Sequence, residues 1–248
     1  MTNVSRQPPG FRIKAALSVA LMTVGSLAML LVALVTAFQA RRLYAERMAA
    51  PLGRLTLRLW GIRLAVHDAP AETLEQRVYI SNHTSTLDIF VLIALGLPNT
   101  RFFLSGFLRK LPPLGLMGYL MGIFWTVPQE FPQRRVAIFK RAARILKRTG
   151  ESVYLSPEGA RITTGEVGHF NKGAFHLATT LGAPIVPFFI VTPAEVDPGM
   201  GYRAGAGQVD VHFKPVIDTR DWRVEDVATN KERVRDRFVA WNEAYRGA

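Results

Sequence analysis

The sequence predicts an α/β domain with a mixed sheet, preceded by a membrane-embedded helical segment. Short apolar runs alternate with segments of helical spacing after residue 68, which is typical of an α/β domain. An uncharged apolar stretch covers residues 15–40. The 248 residues are 49% hydrophobic and 20% charged, which excludes general disorder and suits one sizeable domain. We therefore expect membrane-anchoring helices in residues 1–64 and a single folded domain in residues 65–248.

The apolar stretch at residues 15–40 has the length of a membrane helix. At about 1.5 Å per residue, a helix of this length crosses a hydrocarbon core of about 30 Å. A signal peptide has an apolar core of about 7–15 residues and a small-residue cleavage site, whereas this stretch leads directly into Arg41 and Arg42. Basic residues flank both ends, so the helix either spans the membrane or dips into one leaflet and returns. The positive-inside rule weakly favours a cytoplasmic location for the chain that follows.

A second helix is expected over residues 51–64. Leu52, Leu55 and Leu59 recur at helical spacing beside Arg54 and Arg58. An apolar stripe with a cationic face is typical of a helix in the headgroup region. A helix that faces the protein core explains the pattern equally well.

After residue 68, strands and helices are predicted as the segments that lie between Gly, Pro and Asn residues. Strands are expected at Val78–Ser81, 101–104, 123–127, Ser152–Leu155, Ile185–Val191 and 209–213. Helices are expected at 87–95, 134–147, 172–181 and 231–245. Residues 193–207 are rich in Gly and Pro and predict an exposed loop.

The charge of the chain favours anionic partners. Lys and Arg number 31 against 19 Asp and Glu, which gives a formal net charge of +12. Such a balance suits nucleic acid, a membrane surface or a phosphorylated substrate. Nucleic-acid binding is not predicted, because the basic residues are scattered among apolar runs and form no recognised nucleic-acid motif. The sequence contains no cysteine, which excludes disulfides, thiolate nucleophiles and Cys-ligated metal sites.

The strongest catalytic candidate is the pair His83 and Asp88, directly after a predicted strand. A neutral imidazole can take a proton from a hydroxyl, and a carboxylate on its other nitrogen fixes the tautomer. Five residues turn through about 500° on one helix, so the pair meets only if His83 precedes the helix and Asp88 lies in its first turn. Ser85, three residues before Asp88, resembles a capping box. The alternative is that Asp88 only caps the helix.

A second polar block follows the predicted strand at Ser152–Leu155. Pro157 and Gly159 favour a tight turn that delivers Glu158 and Arg161 to the strand's carboxyl edge. Arginine suits a bidentate contact with phosphate or carboxylate. An internal ion pair between Glu158 and Arg161 is the alternative.

In combination, these blocks resemble the lysophosphatidic acid acyltransferase (1-acylglycerol-3-phosphate O-acyltransferase) family. Its block Asn-His-x-Ser-x-x-Asp is matched at Asn82, His83, Ser85 and Asp88, and its block Pro-Glu-Gly-Thr-Arg at residues 157–161. The step Phe-x-Lys-Gly is matched at residues 170–173, and Val-Pro-Ile-Val-Pro at residues 183–187. Two departures are Ala160 in place of Thr and the lack of the second block's Arg after Gly122, for which Arg134 or Arg135 is a candidate replacement.

The resemblance implies a glycerolipid acyltransferase domain in residues 65–248. An acyl-CoA or acyl-carrier-protein thioester would donate a chain to the free hydroxyl of a lysophospholipid, with His83 as general base and Asp88 as its orienting partner. The implied acceptor-binding residues are Asn82, Ser85, Glu158, Gly159, Arg161 and Lys172. No metal or redox cofactor is implied, and the enzyme would lie at the cell membrane with its catalytic domain on the cytoplasmic face.

Two alternatives remain open at this point. The missing second-block Arg allows a lyso-ornithine or other amino-acid lysolipid as acceptor. A non-catalytic membrane lipid-binding protein on the same scaffold is the alternative from another class. The intact pair His83 and Asp88 argues against it.

Overall fold

The computed structural model describes residues 10–71, 73, 75–197 and 204–246, and it confirms the α/β class with a mixed sheet. The described residues form a seven-stranded sheet in the order β1-β7-β6-β2-β5-β3-β4. Neighbouring strands are parallel except β6 and β7, which are antiparallel. The strands are β1 (Ile62–His67), β2 (Val78–Ser81), β3 (Thr100–Ser105), β4 (Phe124–Thr126), β5 (Ser152–Leu155), β6 (Ile185–Val191) and β7 (Gly207–Phe213).

Helices cover both faces of this sheet. They are α1 (Phe11–Val35), α2 (Ala50–Leu59), α3 (Asp88–Leu95), α4 (Pro112–Met121), α5 (Pro132–Thr149), α6 (Gly173–Leu181) and α7 (Val227–Arg246), with a π-helix at Leu43–Ala49 and a 3₁₀ turn at Leu108–Lys110. Helices α1 to α4 pack with Tyr79 in one core, and α5 to α7 pack with Ile80 in the other. A strand buried on both faces has a continuous apolar run, which explains why β2, β5 and β6 were predicted with their observed bounds.

The segment between residues 51 and 64 is not a single helix, so that prediction is wrong beyond residue 59. Helix α2 ends at Leu59, Gly61 adopts a φ of 75°, and β1 begins at Ile62. The backbone carbonyl of Gly61 accepts a hydrogen bond from the amide of Gly207 at 3.1 Å, which starts the pairing of β1 with β7. The strand therefore depends on a partner far along the chain, which local periodicity does not contain.

Two further differences concern α4 and the loop before β7. Helix α4 was not predicted, because its residues are almost all apolar and show no amphipathic period. Residues 198–203 of the predicted loop lie outside the described residues. Val196 and Asp197 are buried rather than exposed, and β7 begins at Gly207.

The first two helices form an antiparallel hairpin. Trp60, at the end of α2, donates a hydrogen bond from Nε1 to Ser18 Oγ at 2.9 Å, and its ring lies 5.4 Å from that of Phe11 near the start of α1. Among the described residues, α1 is the one helix long and apolar enough to cross a membrane. Val24 and Leu31 on its outer face are about two thirds exposed. The division of the chain at residue 64 stays a prediction.

Candidate active site

The loop after β2 is anchored to the neighbouring strand by Asn82. Its side-chain Nδ2 donates to the carbonyl of Ile190, and its Oδ1 accepts from the amide of Ile190, both at 2.8 Å. Asn82 thereby behaves like one more residue of the ladder between β2 and β6. Because the next residue is His83, this pairing fixes the backbone position from which the imidazole extends.

His83 and Asp88 are in direct contact. His83 Nδ1 lies 2.7 Å from Asp88 Oδ2, with His83 in the turn and Asp88 as the first residue of α3. This is the arrangement that five-residue spacing requires. The side chain of Asp88 is 2% exposed, whereas the imidazole is about one third exposed. The imidazole of the pair is therefore accessible from the solvent while the carboxylate stays buried.

The carboxylate of Asp88 also caps the turn before α3. Its Oδ2 accepts hydrogen bonds from the amides of Thr84 at 3.0 Å and Ser85 at 3.1 Å. Ser85 Oγ accepts from the amide of Leu87 at 2.8 Å and donates to the carboxylate of Asp197. Capping and orientation of His83 were alternatives in the sequence, but one oxygen atom makes both sets of contacts.

Glu158 holds the backbone of His83. Its Oε2 accepts a hydrogen bond from the amide of His83 at 2.7 Å, and its Oε1 accepts from the amide of Gly168 at 2.8 Å. Strands β2 and β5 are neighbours, so the loops that follow them meet at one edge. Burial raises the pKa of Glu158, and the hydrogen bonds from Gly168 and His83 only partly offset this. The geometry gives Glu158 a positioning role.

The turn at Gly159 brings cationic side chains close to the backbone. Gly159 has a φ of 68°, and a Cβ added there would lie 2.8 Å from Asn171 Nδ2 and 3.7 Å from Arg135 Nη2. Arg161, in the same loop, donates from Nη1 to the hydroxyl of Thr86. Glycine is therefore needed both for the backbone angle and for the space beside Asn171.

These groups line a cleft of about 750 Å³. Its polar and charged lining residues include His83, Gly159, Arg161 and Arg135. Its apolar lining residues are more numerous and include Ile89, Phe90, Leu92, Phe103, Leu104, Phe107, Leu108, Leu111, Leu114 and Phe139. The cleft thus combines two guanidinium groups and a partly exposed imidazole with apolar surface of the kind that accommodates a hydrocarbon chain.

Comparison with known proteins identifies the family to which this chain belongs. A family model described as Acyltransferase matches residues 63–191, just over half of the chain. The chain belongs to the acyltransferase family. The matched residues include β2 to β6, all but the first residue of β1, and every residue of the pair and the two loops described above.

Curated proteins resemble this acyltransferase over part of their length. It is 32% identical over 157 residues to the chloroplastic 1-acyl-sn-glycerol-3-phosphate acyltransferase BAT2 of Brassica napus, and 35% identical over 121 residues to the chloroplastic LPAT1 of Arabidopsis thaliana. The alignments cover 62% and 49% of this chain, and 44% and 33% of those proteins. The chain therefore spans less than half the length of these two relatives.

A solved structure has the same fold as the acyltransferase. The crystal structure of the 1-acyl-sn-glycerophosphate acyltransferase PlsC from Thermotoga maritima superposes with a TM-score of 0.69. The match covers 91% of this chain and 96% of that one at 20% sequence identity. At that identity the likeness shows the fold alone.

The residues predicted to bind the acceptor separate into three groups. Gly159 and Arg161 line the cleft of the acyltransferase. Asn82, Ser85 and Glu158 are buried, and their side-chain atoms are bonded to protein groups. Lys172 is exposed, immediately before α6. The predicted substrate contacts stay predictions, and the geometry favours Gly159 and Arg161 among them.

The acyltransferase has a cleft arginine that the sequence could not assign. Arg135, in the first part of α5, lines the cleft and donates from Nη1 to the carbonyl of Val127 at 3.1 Å. Its neighbour Arg134 is exposed and lies over the ring of Phe131 at 5.2 Å. The signal in the sequence was the spacing of Arg135 and Phe139, which places both on one helix face toward the cleft.

Proposed function

We propose that this protein is a membrane-associated 1-acylglycerol-3-phosphate O-acyltransferase. It transfers an acyl chain from an acyl-CoA or acyl-carrier-protein thioester to the free hydroxyl of lysophosphatidic acid, giving phosphatidic acid. The observation that carries the proposal is the contact of His83 with Asp88 in a cleft that is lined by two arginines and by many apolar side chains. The names of the curated relatives agree with this activity.

The proposed reaction is a direct attack of the acceptor hydroxyl on the thioester. His83 Nδ1 donates to Asp88, so Nε2 is left to take the hydroxyl proton as the oxygen bonds to the thioester carbonyl carbon. The tetrahedral intermediate then collapses, the carbon–sulfur bond breaks, and the imidazolium returns the proton to the thiolate. Asp88 stabilises the imidazolium between these steps. This sequence of steps needs no metal or redox cofactor.

Two arginines support a phosphate-bearing acceptor. Arg135 on α5 and Arg161 in the loop after β5 both line the cleft. A guanidinium can donate two parallel hydrogen bonds to one phosphate, and two guanidinium groups balance a dianion. Arg135 therefore takes the part of the arginine that the second sequence block lacks. This observation favours lysophosphatidic acid over an amino-acid lysolipid.

The hairpin of α1 and α2 supports membrane association. The exposed face of α1 carries Leu17, Val24, Leu27, Leu31 and Leu34 at helical spacing. Contact with lipid would remove this apolar surface from water. Because α2 returns along α1, the chain would leave the membrane on the side where it entered. We propose the cytoplasmic face of the cell membrane for the catalytic domain, from the basic residues that follow α1.

The acceptor is tested with Arg135→Lys and its neighbour Arg134→Lys as the matched control. Lysine keeps the charge but loses the planar fork, and a hydrogen bond to a charged group contributes about 1.5–3 kcal/mol. We expect Arg135→Lys to raise KM for lysophosphatidic acid about 10-fold to 100-fold. The control should leave KM unchanged.

The same assay includes a lyso-ornithine lipid as acceptor and a separate KM for the thioester donor. We expect Arg135→Lys to leave the donor KM nearly unchanged, because the arginine binds the acceptor. An unchanged KM for lysophosphatidic acid would contradict the proposed phosphate contact. Wild-type turnover of the lyso-ornithine lipid but not of lysophosphatidic acid would favour the amino-acid lysolipid.

A further inference from the structure

A cluster of two histidines and a carboxylate lies at the edge of the sheet formed by β1 and β7. His67 on β1 is directly opposite His212 on β7 in the parallel ladder. Asp210 precedes His212 by two residues, so its side chain is on the same face of β7. The backbone ladder therefore fixes all three residues on one face, although 143 residues separate His67 from Asp210.

The three side chains already converge. His67 Nε2 lies 2.7 Å from Asp210 Oδ1, and the imidazoles of His67 and His212 stack with ring centroids 4.4 Å apart. One ligand atom from each residue lies within 4.8 Å of the other two. In a tetrahedral zinc site, bonds of about 2.0–2.2 Å place two ligand atoms about 3.4 Å apart. For a nitrogen of each ring to face one ion, the two rings leave their parallel stacking by rotation about side-chain bonds, while the ladder stays unchanged.

Neighbouring groups contact two of the three side chains. Gln208 Nε2 donates to Asp210 Oδ1 at 2.9 Å, which orients the carboxylate. The ring of Tyr245 on α7 stacks on His212 with centroids 4.5 Å apart. All three candidate ligands are partly exposed, so an ion can reach them from solvent. A hydrogen bond to the ligand and packing on the ring are the outer contacts that metal sites use.

We propose a binding site for one divalent transition-metal ion such as zinc, formed by His67, Asp210 and His212. Two imidazoles and a carboxylate suit zinc and its neighbours in the first transition row, whereas magnesium and calcium prefer oxygen ligands alone. The ion ties edge strand β1, which directly follows the α1–α2 hairpin, to β7. Its role is to stabilise this edge of the sheet. The site takes no part in the acyl transfer proposed above and does not depend on it.

The test is zinc titration of the purified, detergent-solubilised, chelator-treated protein by calorimetry, near neutral pH. We expect one equivalent of zinc to bind the wild type and magnesium to show no heat. Loss of an outer contact costs about 10-fold to 100-fold in metal affinity, so loss of a ligand in His212→Ala should cost at least about 100-fold. The matched control His169→Ala removes an exposed histidine elsewhere and should bind as the wild type does.

Thermal unfolding with and without zinc provides the second measurement. A ligand that binds only the folded state raises the melting temperature, so zinc should raise it for the wild type and His169→Ala but not for His212→Ala. If His212→Ala does not fold, as judged by circular dichroism, His67→Ala on the other strand takes its place. Failure of the wild type to bind zinc, or equal binding by wild type and ligand variants, would overturn the site.

Discussion

Asp88→Asn is the substitution that separates the roles of the buried carboxylate most clearly. The two side chains have the same shape, but Oδ2 of Asp88 accepts hydrogen bonds from His83 Nδ1 and from the amides of Thr84 and Ser85. If asparagine keeps its oxygen at that position, its NH₂ group replaces Oδ1, a buried atom without a hydrogen-bond partner among the described residues. If the side-chain amide is rotated by 180°, its NH₂ group faces the same three hydrogen-bond donors. The first orientation keeps the three contacts but removes the charge and buries an unpaired donor, and the second orientation loses the contacts.

The magnitude follows from the three hydrogen bonds. A bond to a charged group contributes about 1.5–3 kcal/mol against about 0.5–1.5 kcal/mol for a neutral pair, so three bonds lose about 3 kcal/mol together. If the transition state bears this whole loss, kcat falls on the order of 100-fold. Loss of the charge opposite the imidazolium, with a wrong tautomer, extends the decrease to about 10⁴-fold. We expect a decrease between these limits.

The absence of cysteine makes the assay direct. Transfer of an acyl group from acyl-CoA releases a thiol, and a colorimetric thiol reagent detects it without background from the protein. The matched control is Asp218→Asn on the surface. Among the side chains of the described residues, only that of exposed Arg220 is hydrogen-bonded to the Asp218 carboxylate. Circular dichroism and thermal unfolding establish that both variants are folded. A folded Asp88→Asn enzyme within about twofold of wild-type kcat would refute the orienting role, since general acid–base groups contribute at least about 100-fold.

Two other predictions concern stability and membrane attachment. Glu151 is buried and forms ion pairs with Arg101 at 2.6 Å and with Arg41 at 3.2 Å. Glu151→Gln should therefore lower the free energy of unfolding, measured in urea, by about 3–5 kcal/mol. An unchanged unfolding midpoint would contradict this. Burial raises the pKa of Glu151, but the contacts with Arg101, Thr149 and Arg41 outweigh burial, and the net shift of the pKa is downward. The wild type should therefore lose this stabilisation as the pH falls from the ordinary glutamate range through the lowered pKa. The free energy of unfolding of Glu151→Gln should not show this dependence on pH. The protein should sediment with membranes and stay there in about 1 M salt, because salt screens charges but not the apolar face of α1; release of most of the protein would show that α1 is not inserted.

The sequence predicted the elements whose signal is local. Strands β5 and β6 were predicted with their observed bounds, because strands buried on both faces are continuous apolar runs between turn residues. Strand β1 was missed because its residues continue a helical spacing of leucines, and only the pairing of Ile62 with Gly207 makes them extended. Helix α4 was missed because burial on many sides leaves no amphipathic period.

The candidate site shows the same division. The five-residue spacing allowed His83 to meet Asp88 but left helix capping as an alternative, and the family resemblance implied the pair. In the structure, His83 Nδ1 lies 2.7 Å from Asp88 Oδ2. The contact of Glu158 with the amide of His83 joins residues 75 apart and was not predictable from local spacing. The choice between Arg134 and Arg135 depends on the rotation of α5 against the sheet, which the packing of Phe139 determines.

The central claim is that His83 enables acyl transfer from a thioester to lysophosphatidic acid. The most direct measurement is the rate at which purified protein forms phosphatidic acid, detected by mass spectrometry, for the wild type, His83→Ala and the surface control His169→Ala. We expect steady formation by the wild type and the control, and a rate lower by about 10²–10⁴-fold for a folded His83→Ala enzyme. Equal rates for wild type and His83→Ala, or no phosphatidic acid from the wild type with either thioester donor, would contradict the claim.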